Sequence, residues 1–203
     1  MATQASAVWR WQRLAIKPLW FVTLLLPLAW LVYAAFNDLL GANPAQALVR
    51  ASGDWTLRLL CLVLALTPLR ITAAWPELAR LRRMVGLFVF FYATLHALCY
   101  GWFDMGLEPT DMAKDIGKRP FILVGFSAWL LLLALALTSW DRAVRWLGGH
   151  NWRRLHRSVY AVAGLAVLHF FWMRAAKNDL AEVALYAVIL ALLLGWRVWR
   201  VLR

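Results

Sequence analysis

Six long apolar runs, each bordered by charged residues, constrain the fold of this chain more than any other feature of its sequence. They cover residues 18–36, 55–74, 84–103, 120–140, 158–173 and 180–196. A helix that spans a bilayer needs about 20 apolar residues. Leu- and Ala-rich runs of this length, without apolar–polar alternation, are too long for barrel strands. The sequence therefore predicts an all-α integral membrane bundle of six transmembrane helices.

The composition excludes a water-soluble globule. Of the 203 residues, 64% are hydrophobic and 14 are tryptophan, whereas soluble chains are about half apolar. The two cysteines, Cys61 and Cys99, lie inside apolar runs and cannot build a disulfide framework or a four-ligand zinc or iron–sulfur site. We predict one membrane domain over residues 1–203, with a cytoplasmic N-terminal tail over about 1–17 and the first apolar run retained as a helix.

The charged residues are divided unevenly between the two sides of the predicted bundle. One side carries fifteen basic and two acidic residues, and the other carries seven basic and eight acidic residues. By the positive-inside rule the first side is cytoplasmic, so both termini are predicted to be cytoplasmic. Short basic clusters of this kind attract anionic membrane lipid. They do not form the continuous basic surface that nucleic-acid binding requires, so the net charge of +12 indicates topology.

Two histidines lie at matched depth in two of the predicted helices. His96 is twelve residues from the start of the third run, and His169 is twelve residues after Arg157, at the border of the fifth. Both helices start on the cytoplasmic side, so each histidine lies about 18 Å in, toward the outer leaflet. Two neutral imidazoles on parallel helices can bind one metal ion from opposite sides, as in bis-histidine haem b. The alternative is that each histidine makes a hydrogen bond to a neighbouring helix.

The sequence leaves a second haem position open at the cytoplasmic end. His156 precedes His169 by thirteen residues, which places it about 20 Å away along a helix and about 140° around it. The third helix begins near Arg82 and Arg83, and arginine is a poor iron ligand because it stays protonated. We interpret this pair as binders of haem propionate or flavin phosphate, or as topology signals.

Four further residues near these histidines have two interpretations each. Tyr92 precedes His96 by one turn, so its hydroxyl either supports that histidine or belongs to ordinary packing. Gly86 and Gly164 either let a porphyrin approach or mark helix–helix contacts, and we favour contacts. His150, in a basic loop after two glycines, is predicted to be solvated rather than to be an alternative inner ligand.

Several strings of residues, in order and with matching intervals, resemble a known family. The strings are TPLR at 67–70, RRMVGL at 82–87, FFYATLH at 90–96, KRPF at 118–121, WRRLHRSVY at 152–160 and LHF at 168–170. They resemble the MsrQ (YedZ) family, the haem-binding membrane subunits of the periplasmic protein-methionine-sulfoxide reductase system. This family belongs to the ferric-reductase-like transmembrane superfamily. The resemblance covers residues 55–172.

The resemblance implies an electron-transfer subunit in the bacterial inner membrane. It assigns b-type haem to His96 and His169 and makes His156 the third family histidine. Electrons would come from the quinone pool or a cytoplasmic flavin reductase, and would go to a periplasmic molybdopterin enzyme that reduces methionine sulfoxide in oxidised envelope proteins. FMN is implied as well, although no motif here locates it. Larger members of the superfamily carry two histidines on each of two helices, so the single histidine on the third span does not establish a second haem.

Two other functions remain compatible with the pattern. A quinone- or hydrogenase-linked cytochrome b would have the same ligands and a different partner. A small membrane transporter could line its path with His96 and His169, but it would be expected to carry more intramembrane acids or broken helices. The sequence contains no nucleophile–base motif, HExxH, Walker A or GxGxxG string, so it predicts that the chain is no enzyme on its own.

Overall fold

The computed structural model describes the backbone of residues 2–175 and 178–203, and the side chains of residues 16–175 and 178–203. Within these ranges the chain forms nine α-helices and no strand. The helices are α1 (Ala2–Phe36), α2 (Pro44–Thr72), α3 (Leu78–Phe103), α4 (Pro109–Lys118), α5 (Pro120–Leu137), α6 (Asp141–Leu147), α7 (Gly149–His156), α8 (Val159–Ala175) and α9 (Ala181–Leu202). Lys177 and the side chains of Arg10 and Arg13, which we used to predict the topology, lie outside the described residues.

Six segments of the described chain are long and apolar enough to cross a membrane, which confirms the predicted all-α fold and its six transmembrane helices. They are Ile16–Phe36, Pro44–Thr72, Leu78–Phe103, Pro120–Leu137, Gly149–Ala175 and Ala181–Leu202. Several predicted borders differ from the structure, and the second and third helices start eleven and six residues earlier than expected. The predicted runs end at charged residues, but Arg50, Asp54 and Arg82 lie inside these helices. Charged side chains near helix ends reach toward the interface, so they do not terminate a membrane helix.

The long helices alternate in direction. We call the end at which α3 and α8 begin the inner end, predicted to be cytoplasmic, and the opposite end the outer end. The side chain of Asn43 accepts a hydrogen bond from the Gln46 amide at the start of α2, and Pro120 occupies the first turn of α5, where its missing N–H costs nothing. Gly148, with a φ of +75°, separates α6 from α7 at the inner end.

Two helix pairs, α2 with α3 and α5 with α8, form the two sides of the bundle. Helix α2 packs along α3, and α5 packs along α8, while α9 contacts both α2 and α8. The largest fully buried side chains of the core lie on α2, α3 and α8, and include Leu60, Val85 and Val162. Helices α3 and α8 are not among the closely packed pairs, although α3 also contacts α5. The bundle thus presents α3 and α8 to each other, each with its own supporting helix.

A buried tyrosine holds α1 where proline interrupts it. Pro27 lies inside α1 and cannot donate a backbone hydrogen bond. The Tyr92 hydroxyl donates to the carbonyl of Leu24 at 2.8 Å and accepts from the amide of Leu28 at 3.0 Å. It therefore bridges the two groups that would otherwise bond directly across one helical turn. Insertion of a side chain at such a point is a recognised cause of helix kinks.

The amphipathic helix α4 covers the outer end of α3. The Tyr100 hydroxyl donates to Asp115 at 2.6 Å, and Asp115 also pairs with Arg119 at 2.9 Å. The Met112 side chain lies against Gly101. These contacts attach the connection between α3 and α5 to the last turns of α3, which begin just after His96.

Candidate cofactor site

His96 of α3 and His169 of α8 meet in the outer half of the bundle. Their ring centroids are 6.2 Å apart and their planes differ by 79°. His96 lies seven residues before the end of α3, and His169 lies six residues before the end of α8. These positions are about 10 Å from the outer ends of the helices, so the predicted matched depth is confirmed. Both rings are half-buried.

Helix α2 holds the His96 ring from behind. Nδ1 of His96 lies 2.8 Å from the carbonyl oxygen of Val49. Because a carbonyl can only accept, Nδ1 carries the proton and donates it, which leaves the lone pair on Nε2. Gly53 lets the ring approach: a Cβ at that position would lie 3.1 Å from both Nδ1 and Cε1 of His96. This spacing is tighter than ordinary carbon contacts.

Helix α5 holds the His169 ring in the same way. Nδ1 of His169 lies 2.7 Å from the carbonyl oxygen of Phe121 and donates to it. A Cβ added at Gly125 would lie 2.8 Å from Nδ1 and 2.9 Å from Cε1 of His169. Such a contact would overlap with the ring, so this position has no room for any side chain.

Each histidine ring is supported by a helix carbonyl and a glycine, and the two have the same spacing in both helices. In each, the glycine follows the accepting carbonyl by four residues, as Gly53 follows Val49 and Gly125 follows Phe121. Side chains in an α-helix lean toward its N-terminus, so the residue at i+4 normally covers the carbonyl of residue i. Glycine at i+4 exposes that carbonyl to an outside donor. Two unrelated helices thus present the same acceptor, and each orients one imidazole.

The arrangement fits axial ligation of a haem. Two imidazoles that bind one metal ion from opposite sides, at about 2 Å per bond, have ring centroids about 6.3 Å apart. The observed separation is 6.2 Å. Both Nδ1 atoms donate to carbonyls, which fixes the tautomer and leaves on each Nε2 the lone pair that would bind iron. Among the described residues no three His, Cys, Asp or Glu side chains cluster, and two imidazoles are a ligand set that a porphyrin iron can take.

His156 occupies a different environment at the inner end. It is the last residue of α7, and its Nε2 lies 3.1 Å from the Thr138 hydroxyl. The Trp152 ring stacks on it at 4.0 Å, and the Trp152 indole donates to the Thr138 carbonyl at 2.8 Å. In this arrangement the ring nitrogen Nε2 is paired with a hydroxyl. No second histidine is placed opposite it in the described part of the chain.

The two arginines at the start of α3 differ from each other. Arg83 forms an ion pair with Asp141 of α6 at 2.7 Å. Arg82 has no ion pair within the described residues. His150 is exposed, as predicted, and lines a cleft of about 260 Å³ with three arginines, Arg153, Arg154 and Arg157.

Some supporting residues were not predicted. Tyr92 supports α1 and makes no bond to His96, so the second of its two interpretations applies. A Cβ added at Gly86 would lie 3.9 Å from the Val63 side chain, which is an ordinary contact, and a Cβ at Gly164 would meet nothing within 4 Å. The glycines that contact the histidines are Gly53 and Gly125. A glycine inside an apolar helix is the only available signal, and it does not distinguish these four.

The two supporting glycines lie within a segment that matches a known family. Residues 52–167 match the family model described as ferric reductase like transmembrane component. The matched segment includes Gly53, His96 and Gly125, and it ends two residues before His169. No solved structure matches the chain.

Several relatives in the comparison carry the name "Protein-methionine-sulfoxide reductase heme-binding subunit MsrQ". The one from Polaromonas naphthalenivorans is 63% identical over 185 residues, which cover 91% of this chain and 84% of the relative. The one from Bordetella pertussis is 55% identical over 188 residues, which cover 91% of each chain. The one from Xanthomonas campestris pv. campestris is 48% identical over 174 residues, 84% of this chain and 77% of the relative. The chain is therefore a multi-pass membrane protein of the ferric reductase like transmembrane component family and belongs, within it, to the MsrQ family.

Proposed function

We propose that this chain is the haem b electron-transfer subunit of a methionine sulfoxide reductase system. The observation that carries the proposal is the pair formed by His96 and His169, whose rings are 6.2 Å apart and are each oriented by a helix carbonyl. The names of the relatives, which describe a heme-binding subunit of such a reductase, support the same function. The sequence motifs and the family match point in the same direction.

The protein residues have three tasks in this function. His96 and His169 would hold the haem iron through their Nε2 atoms, and the carbonyls of Val49 and Phe121 keep each ring in the tautomer that ligation needs. The apolar helices around the pair exclude water. Haem b, when bound, accepts and releases one electron at its iron, and the protein tunes that chemistry through its ligands and surroundings.

The remaining assignments extend this proposal beyond the two histidines. The chain acts as one domain over residues 1–203, lies in the bacterial inner membrane with both termini in the cytoplasm, and catalyses no reaction on its own. It takes electrons from quinone or from a cytoplasmic flavin reductase, and FMN is a second cofactor. It delivers them to a periplasmic molybdopterin-containing reductase subunit. His156 is a candidate ligand of a second, inner haem, and Arg82 and Arg83 are candidate binders of propionate or flavin phosphate.

Haem content per protein tests the proposal. Wild type and the variants His96→Ala, His169→Ala and His150→Ala would be purified with added haem and compared by reduced-minus-oxidised spectra. We expect the first two variants to lose the haem that wild type binds at the outer pair. His150→Ala is the matched control, because it removes an exposed histidine, and it should retain wild-type haem.

Two results would contradict the proposal. Wild type without Soret absorbance, despite adequate haem supply, would exclude haem binding. Unchanged haem in His96→Ala would exclude the ligand assignment. Co-purification of a periplasmic molybdopterin protein with the wild-type chain tests the proposed partner separately.

A further inference from the structure

A serine hydroxyl shares the carbonyl that orients His96. Ser52 is in α2, three residues after Val49 and next to Gly53. Its hydroxyl donates to the carbonyl oxygen of Val49 at 2.9 Å and to that of Leu48 at 2.7 Å. The Val49 oxygen also accepts the Nδ1 proton of His96 at 2.8 Å. Two side-chain donors from different helices thus meet at one carbonyl oxygen.

The Ser52 hydroxyl is enclosed by the protein. Its residue is 0% exposed, and it is the only buried Ser, Thr, Asn, Gln or charged residue in the part of the chain that the structure describes. A buried hydroxyl has no water with which to exchange its carbonyl partners. Its proton therefore stays on the two backbone carbonyls, one of which holds His96.

The support of His169 lacks such a hydroxyl. The residue three positions after Phe121 is Val124, whose side chain has no donor. Within the described residues, His169 is the one side chain that donates to the Phe121 carbonyl. Both supporting carbonyls lie inside helices, so each also accepts the amide of the glycine four residues later. The Ser52 hydroxyl is therefore a chemical difference between two otherwise similar supports.

We propose that Ser52 raises the reduction potential of the outer haem by acting through His96, a role that rests on the proposed function. Each donor draws electron density from the acceptor oxygen, so two donors on one oxygen are each bound less strongly. The Nδ1–H bond of His96 is weakened in this way, and its imidazole becomes a less basic ligand. A less basic ligand stabilises the oxidised iron less, which raises the potential. Ser52 itself makes no contact with iron.

Ser52→Ala removes the hydroxyl without breaking the helix. Alanine is a strong helix former, and the two carbonyls keep their helical partners. One proton shared between two carbonyls is only part of a hydrogen bond, so we expect the equilibrium constant for reduction to fall by about threefold. For a one-electron couple this is about 30 mV, at about 59 mV per tenfold. Redox titration of haem-loaded protein in nanodiscs measures the change, and haem content should equal that of wild type.

The opposite change can be made on the other support. Val124→Thr introduces a hydroxyl three residues after Phe121, in a side chain of nearly the same shape. Threonine hydroxyls in helices bond to carbonyls three or four residues back. The potential of the haem should therefore rise by a similar factor. Opposite shifts in the two variants are a result that a merely structural role would not produce.

Ser127→Ala is the matched control. The Ser127 hydroxyl in α5 donates to the Leu123 carbonyl at 2.8 Å, and that carbonyl accepts from no histidine among the described residues. The substitution removes the same group from a membrane helix without touching either histidine support. Its potential and its haem content should equal those of wild type.

A second measurement separates this inference from the haem assignment. The protein as purified would be reduced, and the Nδ1 proton of His96 would be followed by NMR and assigned by its absence from His96→Ala. Stronger hydrogen bonds move such protons to lower field, so Ser52→Ala should shift the resonance downfield and Ser127→Ala should not. If no protein binds haem, the proposed function and the tuning role both fail, whereas the proton shift still decides whether the two side chains share the carbonyl.

Two results would overturn the inference. One is a potential of Ser52→Ala that equals or exceeds that of wild type at equal haem content. The other is a fall of the potential in Ser127→Ala as large as that in Ser52→Ala, which would assign the effect to the loss of any helix hydroxyl. If Ser52→Ala does not retain haem, Val124→Thr decides the matter, because a potential that does not rise above that of wild type would contradict the proposal.

Discussion

The outer and inner histidines of this chain differ in the contacts that the neighbouring helices make with their rings. At the outer pair, two helices expose a backbone carbonyl beside a glycine, and both rings are fixed through Nδ1. At the inner end, Nε2 of His156 is paired with a hydroxyl, and a tryptophan covers the ring. The same residue type is thus prepared for ligation in one region and engaged in local packing in the other.

The difference indicates that a histidine's suitability as a ligand depends on the groups that orient its ring as well as on its position in the helix. The supporting atoms come from residues that are 47 and 48 positions away in the chain. The inner end instead concentrates arginine. We therefore expect a substitution beside the outer pair to disturb haem, and one at the inner end to leave the outer haem unchanged.

Among substitutions outside the two histidines, the largest effect is expected at the supporting glycines. Gly125→Ala places a Cβ 2.8 Å from the His169 ring, and Gly53→Ala places one 3.1 Å from the His96 ring. Both should lower haem content, and Gly125→Ala should lower it more, because its contact is closer and neither helix backbone can yield easily. Haem per protein from absorbance is the measurement.

Gly164→Ala is the matched control for the glycines, because a Cβ there meets nothing within 4 Å. It lies in α8, the helix of His169, and alanine favours a helix over glycine by about 0.5–1 kcal/mol. It should therefore bind haem like wild type. Equal haem in Gly125→Ala and Gly164→Ala would contradict the role assigned to the glycine support.

A smaller effect is expected at Tyr92, which supports a helix rather than the site. Tyr92→Phe removes the hydroxyl that bridges the Leu24 carbonyl and the Leu28 amide. Loss of these two hydrogen bonds, each worth about 0.5–1.5 kcal/mol, should destabilise the protein by about 1–3 kcal/mol. Thermal unfolding should report the loss, while the spectrum of bound haem stays as in wild type. A changed haem spectrum with unchanged stability would instead place Tyr92 in the site.

His156→Ala should leave the outer haem unaltered. The ring contacts Thr138 and Trp152 at the inner end, and the outer pair has its own supports. Total haem falls only if a second haem is bound there, so the spectral signature of the outer haem is the quantity to follow by redox titration. If His156→Ala shifts the spectrum of the outer haem as much as Gly125→Ala does, the inner histidine is not independent of the outer site.

The smallest effect is expected from Arg83→Gln. This substitution breaks an ion pair whose two partners are both largely exposed. Pairs of this kind contribute about 0.2–1 kcal/mol. Thermal unfolding should change little, and the outer haem should be retained, because His96 lies thirteen residues from Arg83 along α3, about 20 Å away. A loss of haem would show that Arg83 binds a second group in addition to Asp141.

The sequence predicted the architecture because that information is local. The length and composition of the apolar runs were sufficient for six helices, and counting along two of them placed His96 and His169 at one depth. The resemblance added the family. The helix borders were less accurate, since charged residues such as Arg50 continue a membrane helix instead of ending it.

The supports of the site could not be predicted because they are long-range. Which of several glycines faces a histidine depends on how α2 and α5 are rotated against α3 and α8. Gly86 was an equally good candidate from the sequence, and it meets only Val63. The insertion of Tyr92 into α1 joins residues 64 and 68 positions apart, and no local pattern specifies it.

Electron paramagnetic resonance of the oxidised, haem-loaded protein tests the central claim most directly. The planes of His96 and His169 differ by 79°, and two imidazoles that are nearly perpendicular give ferric haem a highly anisotropic low-spin signal with one resolved low-field feature. We predict that signal in wild type and in His156→Ala, and its loss in His96→Ala and His169→Ala. A rhombic signal of parallel imidazoles, or a high-spin signal that persists in all four proteins, would contradict the account.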